Sequence, residues 1–241
     1  MKILIKSFTL VILFPLFSFS QVRWGIHLSP TLGWEQITKE AINNTLIERP
    51  GLGATVSFIL QKPINQFIFL ESGVGYALNA SKFKFNVKPF PDYSKTMDGR
   101  IEVPLLLSIR QELEENFYVK YHVGSAVDFF GATGGFIFER KDSLSSLEII
   151  IDSYGHNNFY LITGIGFEKM LKNEKNIYFG LSYHQGFRKI GYTTITYKIN
   201  GQEFIYESLY TGNHLAIFCK YYLGKDIKRS KIPEKGKYRV L

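Results

Sequence analysis

Eight stretches in which apolar and polar residues alternate with period two predict an all-β chain. Their length, 11 to 14 residues each, predicts membrane strands: soluble strands average about five or six residues, whereas about 9–11 cross a bilayer. The connections between them alternate short and long. Together these features predict an eight-stranded antiparallel up-and-down transmembrane β-barrel, with short periplasmic turns and long, partly β-ribbon external loops.

Elements follow in chain order. Residues 1–20 read as a secretory signal peptide. Lys2 and Lys6 give a positive start, and Ser7 to Phe19 is an uncharged run too short to span a bilayer as a helix. Ser18-Phe19-Ser20 places small residues at −3 and −1, so cleavage is expected before Gln21. No cysteine follows the run, so a lipid anchor is not expected. Residues 21–224 form the barrel, and 225–241 a basic periplasmic tail with seven basic residues and two acids.

The first strand, Val22 to Trp34, puts Trp24, Ile26, Leu28, Leu32 and Trp34 on one face and Arg23, His27 and Ser29 on the other. Gly51 to Gln61, Ile68 to Asn79 and Arg100 to Arg110 repeat the pattern, with Glu71, Glu102, Arg100 and Arg110 on their polar faces. Phe117 to Phe130 sets Val119, Tyr121, Val123 and Val127 against Lys120, His122 and Asp128. Phe159 to Met170, Ile177 to Arg188 and Asn213 to Leu223 complete the eight, with Glu168, His184, Arg188 and Lys220 as their polar residues.

Alternation alone does not say which face turns inward. A lipocalin-like barrel would hold the apolar face inside, and a soluble sandwich would pair two such faces. Three features favour lipid outside. The polar face is rich in Gly, Ala and Ser, which suits a crowded eight-strand interior. Trp24 and Trp34 share the apolar face ten residues apart, roughly 25 Å along the membrane normal, the height expected between two aromatic girdles. Finally, 62–65, 112–115 and 171–175 are short, whereas 35–50, 81–99, 131–156 and 189–212 are long. An even strand number then puts all four long loops outside.

Two long loops carry strand signals of their own. Thr193–Ile199 and Gln202–Glu207 flank Asn200-Gly201, the signature of a type I′ hairpin, and Phe136–Arg140 and Leu147–Ile151 flank a Ser-rich turn. Lys82–Pro91 alternates basic and aromatic residues and is expected to be an external strand, or else a surface that attracts anionic lipopolysaccharide or a partner. Pro30 and Pro104 fall inside strands of a barrel that has no edge, so a bulge is expected at each.

The stretch Ile101-Glu102-Val103-Pro104-Leu105-Leu106-Leu107, together with Tyr118–Phe130, Leu161–Glu168 and Tyr178–Phe187, resembles the PorT-type outer-membrane β-barrel proteins of Bacteroidetes. The resemblance implies the same barrel, located in the outer membrane of a Gram-negative bacterium, and a tolerated proline at Pro104. It implies no single activity, although some such barrels serve protein secretion. The chain departs from them at its C-terminus, where 17 residues follow the last strand instead of a terminal aromatic residue.

For chemistry, Arg23, His27, Glu71, Glu102, Arg110, Lys120, His122, Asp128, Glu168, His184, Arg188 and Lys220 are expected to form a paired polar network in the lumen, because buried charges in a narrow barrel need partners. The histidines lack metal-ligand spacing, no phosphate-binding loop occurs, and a single cysteine allows neither disulfide nor Cys-based zinc site. No catalytic residue, cofactor or metal is expected. Ser125 or Ser182 beside a histidine keeps a lipid-modifying enzyme as an alternative, and a small channel is another. The leading expectation is a non-enzymatic surface barrel acting through its loops or tail in adhesion, envelope integrity or a secretion assembly. Its partners would be outer-membrane lipid and envelope or secretion-system proteins. Export argues against nucleic acid.

Overall fold

A computed structural model describes residues 22–34, 36–39, 46–78, 80–85, 93–96, 99–130, 136–141, 145–153, 157–171, 175–189 and 191–224. The expected signal peptide, Glu35, His156 and the basic tail lie outside them.

Fifteen strands form among these residues: β1 (Arg23–Gly33), β2 (Gln36–Lys39), β3 (Leu46–Pro63), β4 (Ile68–Leu78), β5 (Ala80–Phe85), β6 (Tyr93–Thr96), β7 (Arg100–Glu114), β8 (Phe117–Phe130), β9 (Phe136–Lys141), β10 (Ser145–Ser153), β11 (Asn158–Met170), β12 (Asn176–Gly186), β13 (Gly191–Ile199), β14 (Gln202–Tyr210) and β15 (His214–Leu223). Eight of them close into an antiparallel ring in the order β1-β15-β12-β11-β8-β7-β4-β3, with β3 pairing back to β1. Closure leaves the ring without an edge, which a bilayer requires of any sheet that crosses it. The apolar face lies outside: Leu52, Val56, Phe58, Val74, Tyr121, Val123, Ile165 and Leu181 are exposed, while Arg23, Lys120, Asp128 and Glu168 are buried inside.

Three short turns join strands at one end. In the first, Asn65 Oδ1 accepts hydrogen bonds from the backbone N–H groups of Phe67 and Ile68, each at 2.8 Å. In the second, Asn116 takes a left-handed φ of 62°. The long connections all leave the opposite, external end.

Those connections fold into further sheet. Strands β2-β14-β13-β10-β9 form a separate five-stranded sheet, and β5 and β6 extend the upper part of β3. The hairpin of β13 and β14 turns at Asn200 and Gly201, with φ of 50° and 83°, as a type I′ turn demands. Phe83 and Phe85 of β5 pack against Leu147, Ile149, Ile195, Tyr197 and Tyr206. The two layers thus share an apolar core of their own above the membrane.

The bulges expected at Pro30 and Pro104 do not form. The β1–β15 register is unshifted from Trp24↔Leu223 to Gly33↔His214, and only the pairs at Ser29 and Pro30 are missing. The β4–β7 register is likewise unshifted across the missing pairs opposite Val103 and Pro104. A neighbouring serine supplies a donor at each gap. Ser29 Oγ donates to Ile217 O at 2.9 Å, the carbonyl directly across from Pro30 in this register. Ser72 Oγ donates to Pro104 O at 2.9 Å. At Pro30 a hydroxyl thus stands in for the missing rung, and at Pro104 a hydroxyl satisfies the proline's own carbonyl.

Candidate functional site

The lumen holds the polar residues, arranged in three layers along the barrel axis. The layer nearest the short turns centres on two carboxylates. Glu168, at the end of β11, lies 3.4 Å from Lys120 Nζ, 3.7 Å from Arg23 Nη2 and 3.9 Å from Arg110 Nη1, and accepts a 2.8 Å bond from Asn176 Nδ2. Glu71, at the start of β4, pairs with Lys220 Nζ at 2.5 Å and accepts hydrogen bonds from Tyr222 OH and Gln61 Nε2. Arg23 donates to Gln61 Oε1, which joins the two carboxylates into one network. Phe69 is fully buried among the cations, with Arg23, Arg110 and Lys120 within 4.6–5.3 Å of its ring centre. Four cations around two carboxylates are thus further screened by aromatic faces.

The middle layer is imidazole. His122 Nδ1 lies 2.8 Å from Tyr178 OH, and the rings of His184 and His214 are 4.1 Å apart. His214 Nδ1 donates to Gly212 O at 2.8 Å. His27 and His122 both meet the Phe218 ring edge to face. The close approach is possible because Gly164 lacks a side chain: a Cβ there would lie 2.4 Å from the His122 ring. A cavity of about 20 Å³ remains between His27, His122, His184, Glu102, Ser182 and Lys220, room for a single water-sized molecule.

The external layer pairs Arg100 Nε with Asp128 Oδ2 at 3.1 Å, and Arg100 Nη1 donates to Tyr160 OH. Glu102 is directly opposite Asp128 in the β7–β8 register and is buried with it.

Arg188 does not join this network and stands as a correction to the parity reading. Strand β12 ends at Gly186, and Arg188 beyond it is exposed, with its backbone N–H bonded to Asn158 Oδ1 at 3.1 Å. Once the strand ends, alternation no longer fixes where a side chain points. Trp24 lies on the lipid face, stacked on Phe58 with ring centres 6.2 Å apart, and Trp34 stacks on Tyr183 at 6.1 Å.

The reading of charges alone missed Tyr160, Tyr178, Tyr222, Gln61 and Asn176. Their signal is parity: Tyr178 shares the face of His184, and Tyr222 that of Lys220. Of the candidate nucleophiles, Ser182 Oγ lies 3.2 Å from His184 Nε2, but both are buried inside the lumen, away from lipid. Among the described residues no three His, Cys, Asp or Glu side chains gather as a metal site.

Residues 17–192 match the family described as "Outer membrane protein beta-barrel domain". The chain belongs to this family. As a family member it is an outer-membrane β-barrel protein. Among solved structures, OprG from Pseudomonas aeruginosa is 13% identical over 84% of this chain and 94% of its own, with a TM-score of 0.44. A major outer membrane protein from Thermus thermophilus is 10% identical over 83% and 99%, with a TM-score of 0.37. The outer membrane protease OmpT from Escherichia coli is 9% identical over 86% and 100%, with a TM-score of 0.34. No curated protein matches the chain. Such distant likenesses, to barrels with different names, carry no functional weight.

Proposed function

We propose that this barrel is a non-enzymatic surface protein of the PorT-type branch, whose working part is the two-layer sheet outside the membrane. One observation carries the reading: the connections build a packed core from Phe83, Phe85, Leu147, Ile149, Ile195, Tyr197 and Tyr206. Residues that only close a barrel do not require such a core. The lumen, by contrast, is occupied by paired charges, and the cavity beside Glu102, Ser182 and Lys220 has room for about one water, which suits a plug better than a channel. The barrel then acts as an anchor, and the sheet meets envelope or secretion-system proteins in adhesion, envelope integrity or secretion. Export of the chain depends on the signal peptide in residues 1–20.

The test replaces 136–153 and 191–210 with short turns and retains the ring. The shortened protein is expected to insert and to keep its heat-modifiable mobility, while cells carrying it show the same surface or secretion defect as cells lacking the whole protein. Full function in those cells would move the activity to the ring or the tail. Turnover of lipid by the purified full-length protein, lost on His184→Ala, would replace this reading with the enzyme.

A further inference from the structure

We propose that the outer surface of the β3–β5 ribbon binds the phosphate groups of a phosphorylated glycolipid of the outer leaflet, through Arg49, Lys82 and Lys84.

Register places the three cations on one surface. Arg49 is directly opposite Lys82, and Ile47 is opposite Lys84. Opposed residues of an antiparallel pair point to the same side, as do residues two apart. The other side of β5 carries Phe83 and Phe85, buried in the external core. The cationic side therefore faces away from that core, and Ile47 and Arg49 on it are exposed.

That side is also the lipid side. The β3 register with its partners slips by one residue between Ala54↔Leu78 and Pro50↔Ser81, and both Pro50 and Arg49 are exposed. The slip brings Arg49 and Ile47 into line with the lipid-facing row of Leu52, 77% exposed, and Leu78. Without it, Arg49 would continue the lumenal row of Gly51 and Thr55.

Height then identifies the chemistry. Gly51 pairs with Gly33, next to Trp34, which stacks on Tyr183, and aromatic rings of this kind belong at the upper edge of a membrane barrel's apolar band. Arg49 lies two residues beyond Gly51, about 7 Å along the strand. Apolar wall below and three cations directly above it match acyl chains below and phosphates at the headgroup level. A protein partner would need no such alignment with the membrane boundary. Phosphates there meet two lysines and a guanidinium with fixed forks of donors.

The experiment uses the full-length protein in detergent and counts bound lipid by native mass spectrometry. The probes are diphosphoryl lipid A, the same lipid with both phosphates removed, and inorganic pyrophosphate. Diphosphoryl lipid A is expected to be retained, and the phosphate-free lipid to bind at least about tenfold more weakly, as expected from losing several charge contacts. Arg49→Glu/Lys82→Glu/Lys84→Glu is expected to show the same loss for the diphosphoryl lipid while keeping the boiled/unboiled mobility shift. If that variant fails to fold, Arg49→Gln/Lys84→Gln gives a smaller loss in the same direction. Equal retention of the two lipids by the wild-type protein would overturn the proposal, as would unchanged retention by a folded variant. Pyrophosphate binding without lipid binding would assign the cations to a soluble phosphate and overturn the membrane source. A variant that keeps its lipid but no longer captures an envelope protein would make the surface a protein dock instead.

Discussion

Single residues decide how prolines fit a wall without edges. Pro30 cannot donate to Ile217 O, and Ser29 Oγ does so instead at 2.9 Å. Ser29→Ala is expected to destabilise the barrel by about 1 kcal/mol, because a carbonyl in the wall loses its donor. In a Pro30→Ala background the backbone N–H returns, and the same serine change is expected to cost little. A double-mutant cycle read by urea unfolding in lipid vesicles measures this coupling. Equal cost of Ser29→Ala in both backgrounds would show that the hydroxyl does not stand in for the missing rung. Glu168 tests the lumen in the same assay. It faces Arg23, Arg110 and Lys120, so Glu168→Gln leaves three cations around a neutral amide, and a loss of about 3–5 kcal/mol is expected. A near-neutral result would mean that water reaches these groups and the plug is loose. The sequence made Glu168 and its partners legible by parity, because a strand fixes the side on which each residue falls. It left Arg188 misplaced, because parity ends with the strand at Gly186.

At the scale of elements, period two located seven of the eight crossing strands to within a few residues at each end. The exception is β3, which continues upward to Leu46 because its external part pairs with β5. The Asn200-Gly201 turn was legible because both residues tolerate left-handed φ, which the hairpin requires. The packing of the two external layers was not legible. Nothing in a strand's own alternation says which distant strand will cover Phe83 and Phe85. Nor did alternation show that two prolines would leave the register unshifted, with a serine hydroxyl bonded to a wall carbonyl at each gap. Gly201 has open space around it and a φ of 83°, so Gly201→Ala carries a conformational cost of about 1 kcal/mol and no clash. Proteolysis of residues 191–210 is expected to quicken in this variant while the ring keeps its mobility shift. Loss of both together would show that the external sheet and the ring fold as one unit.

The whole molecule divides into an anchoring ring, a plugged lumen and an external sheet with its own core. Planar bilayers containing the purified protein are expected to show no discrete conductance steps, because paired cations, carboxylates and tyrosines occupy the lumen and an eight-stranded ring is narrow. Regular steps that persist across preparations would reopen the channel reading. The lumen buries four acids beside five cations, whereas large apolar side chains cover the outer face of the ring. The most direct test of the ring, its orientation and the external sheet is protease treatment of intact cells. It is combined with boiled and unboiled samples of the extracted protein on a detergent gel. A mobility shift, with cuts only in 35–50, 79–99, 131–157 and 187–213, is the expected result. Cuts at 64–67 or 115–116 in intact cells, or a protein released in soluble form with no mobility shift, would contradict it.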